Sequence, residues 1–82
     1  MYFEESDSGD YRIYAGALER PKQYGYVGAV VVVRVRGTQA LKETYRNENI
    51  AGGFAWASPA EALRAAMKAG REMIAGRMPA LA

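Results

Sequence analysis

The feature that most constrains the fold of this chain is a run of four consecutive valines, Val30 to Val33. β-branched side chains have few χ1 rotamers, which favours the pleated strand over the helix. The surrounding stretch, Tyr24 to Arg36, is therefore predicted to form the central strand of a sheet. Its odd-numbered residues from Val27 to Val35 are all apolar, so we expect that face to lie against the core. The even-numbered face, which ends in basic residues, is expected to be open.

Further strands are predicted on both sides of this one. Tyr11 to Leu18 alternates between two faces, and a polar segment containing Pro21 ends it because proline cannot donate to a strand ladder. Leu41 to Asn47 carries charges in an alternation that is typical of an edge strand. Phe54 and Trp56 point the same way and indicate a short fourth strand.

A C-terminal helix is predicted from its N-terminal signals. Ser58 is placed as the N-cap, Pro59 takes the first helical position and Glu61 completes a capping box. Apolar residues then recur at spacings of three and four, which makes one apolar stripe. The members of that stripe are Leu63, Ala66, Met67, Gly70, Met73 and Ile74.

The predicted fold class is α+β: an antiparallel three- to four-stranded β-meander with one C-terminal α-helix packed on one face. The expected core consists of Ile13, Val27, Val31, Val33, Val35, Phe54, Trp56, Leu63, Met67, Met73 and Ile74. With 82 residues, the chain has room for one domain. We expect an acidic flexible leader at 1–10, the α+β domain at 11–78 and a frayed tail at 79–82.

The composition excludes much chemistry. The chain has no cysteine and no histidine, which removes disulfides, cysteine zinc sites, thiol nucleophiles and the commonest general base. The one dense carboxylate cluster lies in the expected leader and lacks the frame of a calcium loop. We therefore expect a protein that is not an enzyme and that has no cofactor and no metal. With no secretory signal and no membrane-spanning apolar run, a cytoplasmic location is expected.

Two surfaces remain as candidates for function. The first is basic and consists of Arg34 and Arg36 on the sheet with a helix stripe of Arg64, Lys68 and Arg71. The three helix residues are separated by four and three positions, so they share one exposed face of the helix. Such a face is either simply solvated or in contact with nucleic acid or an acidic partner.

The second surface is the sheet face away from the helix, with Tyr14, Tyr26, Val30 and Val32. Exposed valines favour a cover, so we expect another protein, a second copy of the chain, or the chain's own leader and tail there. The principal hypothesis is a small interaction module that can form a homodimer through this face. The alternative is a nucleic-acid-binding module, in which tyrosines stack on bases while arginines meet phosphates.

A resemblance rests on the valine strand ending in Arg34 to Gly37, on Tyr45-Arg46, and on Ala51 to Ala62. With these residues, the segment from Tyr26 to Ile74 resembles small strand–strand–strand–helix proteins of bacteria that are catalogued as uncharacterised. The resemblance implies a fold and brings no established activity. The architecture is also similar to the partial ribonuclease-H-like domain of type II antitoxins and to the last part of a double-stranded-RNA-binding domain. The chain lacks the antitoxins' DNA-binding segment and the basic motif that the RNA-binding domains carry where their last helix begins.

Overall fold

The computed structural model describes residues 2–20, 24–37 and 41–76. Its elements in chain order are β1 (Tyr2–Ser8), β2 (Tyr11–Glu19), β3 (Tyr26–Arg34), β4 (Lys42–Asn47), a 3₁₀ turn (Ile50–Gly53), β5 (Ala55–Trp56) and α1 (Pro59–Gly76). All strand pairs are antiparallel, and the order across the sheet is β1-β2-β3-β4, with β5 beside the start of β3. The helix packs on one face of this sheet, so the predicted α+β fold is confirmed.

The prediction of a flexible leader is wrong, because residues 2–8 form β1. This strand pairs with β2 along its whole length, from Tyr2 opposite Ala17 to Ser8 opposite Tyr11. Two residues, Gly9 and Asp10, make the turn between the two strands. β1 therefore belongs to the folded domain and forms one edge of the sheet. The predicted tail at 79–82 lies outside the described residues.

The capping box predicted for the helix is confirmed. The amide of Glu61 donates to Oγ of Ser58 at 3.3 Å, and the amide of Ser58 donates to Oε2 of Glu61 at 3.1 Å. These reciprocal bonds satisfy two backbone donors that the first turn of a helix would otherwise leave without a partner. The helix therefore begins at Pro59 because of local sequence, before any tertiary contact is considered.

The prediction of which β3 face is buried is wrong. Val30 and Val32 are 1% and 0% exposed and lie beneath the helix, while Val31 and Val33 are only partly buried on the opposite side. The register explains this, since Ile13 and Ala15 of β2 stand opposite Val32 and Val30 and point to the same face. Val27 and Val35 are likewise only partly buried, and Phe54 is 57% exposed. The remaining core predictions divide in two: Ile13, Met67 and Ile74 are buried, whereas Trp56, Leu63 and Met73 are partly buried.

Small residues let the helix approach the sheet closely. Ala62, Ala66 and Gly70 are fully buried along the seam of α1. A methyl group on Gly70 would lie 2.7 Å from Cγ2 of Ile13 and 3.1 Å from Cγ2 of Val30, closer than carbon atoms pack. The sequence stripe is therefore confirmed as the packing side of α1, with a different set of valines beneath it.

Candidate interaction surfaces

The sheet face turned away from α1, called here the open face, carries a central apolar row. Strand alternation and register place seven side chains in this row: Phe3, Tyr14, Leu18, Val27, Ala29, Val31 and Val33. Phe3 is 74% exposed and Tyr14 is 38% exposed, and the others are partly buried. Phe3 lies over Gly16, where an added methyl would be 3.7 Å from its ring. Among the described elements, none packs over this face.

Ion pairs flank the apolar row on both sides. Nε of Arg12 donates to Oδ1 of Asp7 at 2.7 Å on the β1–β2 side. Nη2 of Arg46 donates to Oε1 of Glu43 at 2.8 Å on β4, whose residues stand opposite Val31 and Val33. Hydrogen bonds from these arginines, more than any other interaction, hold the pKa values of Asp7 and Glu43 below their usual range. Each side of the open face thus offers one guanidinium. The β1–β2 side carries the carboxylates of Glu5 and Asp7, and on the β4 side Arg46 also lies 3.5 Å from Oε2 of Glu48.

The predicted self-association residues do not share one surface. Tyr14 lies on the open face, as expected. Val30 and Val32 are buried under the helix and cannot contact a partner, so their assignment to an open surface is wrong. Tyr26 points to the helix side, where its ring meets the edge of the Tyr2 ring at a centroid distance of 5.9 Å. Of the four residues predicted for self-association, only Tyr14 therefore lies on the open face.

The sequence analysis missed the residues that take their places. Val31 and Val33 occupy the middle of the open face, and Phe3 extends it onto β1. A signal for this arrangement was present in β2, where Ile13, Ala15 and Ala17 form a compact face suited to a closely packed helix. Pairing that face with the β3 face that contains Gly28 would have placed the helix over Val30 and Val32.

The sheet arginines predicted for nucleic-acid contact lie at one end of β3. Arg34 stands opposite Tyr11, its guanidinium lies 5.6 Å from the centre of that ring, and Nη2 is 3.7 Å from Oδ2 of Asp10. Nε of Arg34 donates to the carbonyl oxygen of Arg36 at 2.9 Å. The side chain of Arg34 is thus occupied in holding the end of its own strand, whereas Arg36 is exposed.

The helix stripe keeps the exposure that its spacing predicts. Arg64, Lys68 and Arg71 are all exposed on α1, and no ion pair joins them to an acidic side chain of the described residues. Arg64 and Arg71 line a groove of about 240 Å³ between α1 and β1, together with Glu4. The stripe and the sheet arginines are therefore on different elements, and Tyr14 lies on the face opposite the helix.

Comparisons with protein-family models, with curated proteins and with solved structures found no match to this chain. The resemblance drawn from the sequence therefore stays a prediction. Within the described residues, no helix combines the length and the hydropathy that a bilayer crossing requires. In that same part of the chain, no three carboxylates converge in a group that could hold a metal ion.

Proposed function

We propose that this chain is a small interaction module that forms a homodimer by packing the open faces of two copies together. The observation that carries the proposal is the apolar row from Phe3 to Val33, which no described element covers. Contiguous exposed apolar surface of this kind marks interaction sites in soluble domains. Aligned packing of two twisted sheets would enclose the row in a second, dry layer.

The charges beside the row favour a second copy over a polyanion. The β1–β2 side carries Asp7 and Arg12, and the β4 side carries Glu43 and Arg46. A two-fold axis that lies between the sheets places either like sides or unlike sides together. In both arrangements Asp7 and Glu43 each have a guanidinium within reach on the other copy, so these two pairs are self-complementary in charge.

The size of the face also fits a dimer. β3 has nine residues, so the face is about 30 Å long at about 3.3 Å per residue. Four strands spaced by about 4.8 Å make it about 19 Å wide. Because β1 and β4 are shorter, with seven and six residues, the area is about 500 Å² per copy, or about 1,000 Å² in total, near the lower limit for a specific interface.

The exposed edge of β1 is a weaker route to assembly than the face. β1 carries Glu4, Glu5 and Asp7 within four residues. Two β1 edges side by side would bring these carboxylates together, and charged edge strands are a common protection against such pairing. The acidic strand therefore directs association toward the open face.

The alternative, a nucleic-acid-binding module, has narrower support. It keeps the exposed stripe of Arg64, Lys68 and Arg71 on α1. It loses the predicted combination, because Arg34 stacks on Tyr11 on the helix side of the sheet. Tyr14 lies on the open face, where Arg12 and Arg46 are already paired with Asp7 and Glu43. A phosphate backbone would have to bind the helix stripe alone.

Sedimentation equilibrium over a concentration series tests the dimer, at about 0.1 M and about 1 M salt, where charge interactions are strongly screened. We expect a reversible dimer that persists at high salt, since the row is apolar. Val31→Lys should weaken association at least about tenfold, because it would bury an unpaired ammonium group. Leu41→Lys is the control for the added charge, since Leu41 is 81% exposed and lies outside the strands that form the open face.

Two results would contradict the proposal. One is a wild-type protein that stays monomeric at millimolar concentration, and the other is a Val31→Lys protein that dimerises as the wild type does. Amide NMR titration with short RNA and DNA, run on the same samples, covers the alternative. Salt-sensitive shifts at Arg64, Lys68 and Arg71 in a monomeric protein would replace the dimer with nucleic-acid binding.

A further inference from the structure

A cavity of about 580 Å³ lies where β2, β3 and β5 end together, away from the open face. The side chains of Glu19, Arg20, Tyr24, Tyr26 and Trp56 supply its chemical character. Three aromatic rings, one carboxylate and one guanidinium therefore surround a space that is large enough for a small ligand. The dimer proposed above does not use these residues.

Strand pairing sets three of these side chains in a row. Glu19 stands directly opposite Tyr26 across β2 and β3, and Trp56 stands opposite Tyr26 across β3 and β5. Residues paired in this way project to the same face of the sheet. The carboxylate and the two rings therefore lie side by side, and the backbone ladder holds their spacing.

Other aromatic rings support the walls of the cavity. The Tyr2 ring meets Tyr26 in an edge-to-face contact at 5.9 Å and 76°. Phe54 meets Trp56 in the same manner at 4.9 Å and 72°. Such contacts restrict the tilt of a ring. Tyr26 and Trp56 are thus positioned before any ligand arrives.

Tyr24 completes the cavity from the loop that precedes β3. This tyrosine is 98% exposed, so it contributes nothing to the core. The next residue, Gly25, has a φ of +101°, and a methyl group on it would lie 2.7 Å from Cβ of Ala55. The amide of Arg20 also donates to the carbonyl oxygen of Gly25 at 3.4 Å. These contacts hold the backbone at Gly25 against β5, next to Tyr24, which lines the cavity.

The charges around the cavity come in one pair. Aromatic ring faces attract cations, most strongly in the case of tryptophan, and the Glu19 carboxylate adds to that attraction. Desolvation, more than any other cause, raises the pKa of the Tyr26 phenol, and the charge of Glu19 adds to the shift. Arg20, the next residue along the chain, also lines this space and carries a guanidinium group. A simple cation would leave that guanidinium without a counter-charge.

We propose that this cavity binds a small zwitterion whose methylated or quaternary ammonium group lies among Tyr24, Tyr26 and Trp56. Glu19 balances the ammonium charge, and Arg20 binds the carboxylate or phosphate at the other end of the ligand. The three rings, the carboxylate and the guanidinium each have a part in this assignment. A planar base would use the rings and Arg20 but would leave Glu19 opposed to its phosphate.

The chain is well suited to a direct test, because Trp56 is its only tryptophan. Its fluorescence reports on the cavity and on the adjoining groove that it lines with Glu61, Arg64 and Lys68. The probes are glycine betaine, 3,3-dimethylbutanoate and tetramethylammonium. The second has the shape and the carboxylate of the first without its positive charge, and the third has the positive charge without the carboxylate. Adenosine monophosphate serves as the planar alternative.

We expect a saturable fluorescence change with glycine betaine and a dissociation constant about tenfold weaker for 3,3-dimethylbutanoate. Tetramethylammonium should also bind more weakly than glycine betaine, since it leaves Arg20 without a partner. Glu19→Gln and Tyr24→Ala should each weaken glycine betaine several-fold. Glu72→Gln is the matched control, because Glu72 is exposed on α1 and does not line the cavity.

Three outcomes would overturn the proposal. Equal binding of 3,3-dimethylbutanoate and glycine betaine would show an apolar site with no use for the cation. Tighter binding of adenosine monophosphate would show a site for planar rings. If the melting curves show that the proteins are folded and the fluorescence does not saturate with any probe, the cavity has no ligand of this class. The titration is repeated with Val31→Lys, the variant expected to weaken the dimer. Unchanged binding of glycine betaine to that variant would show that the cavity acts independently of dimer formation.

Discussion

The two faces of the sheet have similar apolar residues in β3, but α1 covers only one of them. On the helix side, Val30 and Val32 are almost completely buried beneath α1. On the open face, Val31 and Val33 come from the same strand and have the same chemistry, yet they remain partly exposed. Hydrophobicity therefore does not decide which face the helix covers.

The shape of the neighbouring residues decides it. The helix side of the sheet combines Ala15, Ala17 and Gly28 with the larger Ile13, and the seam of α1 is equally small. Interiors pack at the density of crystals, so a helix that can approach closely gains more contacts than one held off by bulky rings. The open face carries Tyr14 and Phe3 over its middle, where they would hold a helix away from the strands. The helix side has rings too, but Tyr2, Tyr11 and Tyr26 lie at the ends of their strands.

The sharpest test of this comparison replaces one valine on each face with alanine. Val32→Ala should lower the free energy of unfolding by about 2–3 kcal/mol, because it removes buried surface and leaves a cavity. Val33→Ala, its neighbour on the open face, should cost less than about 1 kcal/mol. Urea unfolding at a protein concentration below the dimer range measures both values. Equal losses would show that the two faces are equally buried in the monomer.

A second test concerns the close approach of the helix. Gly70→Ala adds a methyl 2.7 Å from the stiff Cγ2 of Ile13. Such overpacking costs about 1–3 kcal/mol, of which the better helix propensity of alanine returns about 1 kcal/mol. We expect a net loss of up to about 2 kcal/mol.

Gly76→Ala is the control for this substitution, since it makes the same change in the same helix where nothing lies within 4 Å. That variant should be neutral or slightly more stable. Thermal unfolding compares the pair. A Gly70→Ala protein as stable as Gly76→Ala would mean that the helix does not depend on close contact with β2.

The smallest expected effect belongs to the charges beside the open face. The pKa values of Asp7 and Glu43 are lowered in the folded chain from ordinary values of 3.8 and 4.5. The unfolded chain therefore binds more protons near these values, and the stabilisation by both pairs is lost as the pH falls through the lowered pKa values.

This effect is measurable as the slope of stability against pH. In Asp7→Asn and Glu43→Gln, stability should decline less steeply between about pH 5 and about pH 3 than in the wild type. Among the described residues no charged side chain is buried, so the helix side has no comparable group. Identical slopes in all three proteins would show that the pairs contribute nothing to folding.

Local signals were enough to predict much of this fold. The Ser58–Glu61 capping box and the small-residue seam of α1 both follow from side chains within a few residues of each other, and both are present in the structure. The charged alternation of β4 correctly indicates an edge strand. The β1 segment was misjudged because Glu4, Glu5 and Asp7 are typical of a solvated tail, while the strand uses its backbone to pair with β2.

The surfaces could not be predicted as well, because each depends on which way a strand faces. Side chains alternate with a period of two, so a slip of one residue in register moves every valine of β3 to the other face. Both faces of β3 are apolar from residue 27 to residue 33, so its own sequence leaves the choice open. The aromatic cavity depends on register too, since Glu19, Tyr26 and Trp56 meet only across three strands.

By itself, the sequence determined that this chain makes a valine-rich antiparallel sheet and one capped helix, because capping and β-branching act within a few residues. The tertiary structure alone decided which valines are buried. Pairing of Ile13 with Val32 and of Ala15 with Val30 placed the small residues of β2 and β3 on one face. The helix packs there because its own small seam can reach that face, and among the described elements none covers the open face.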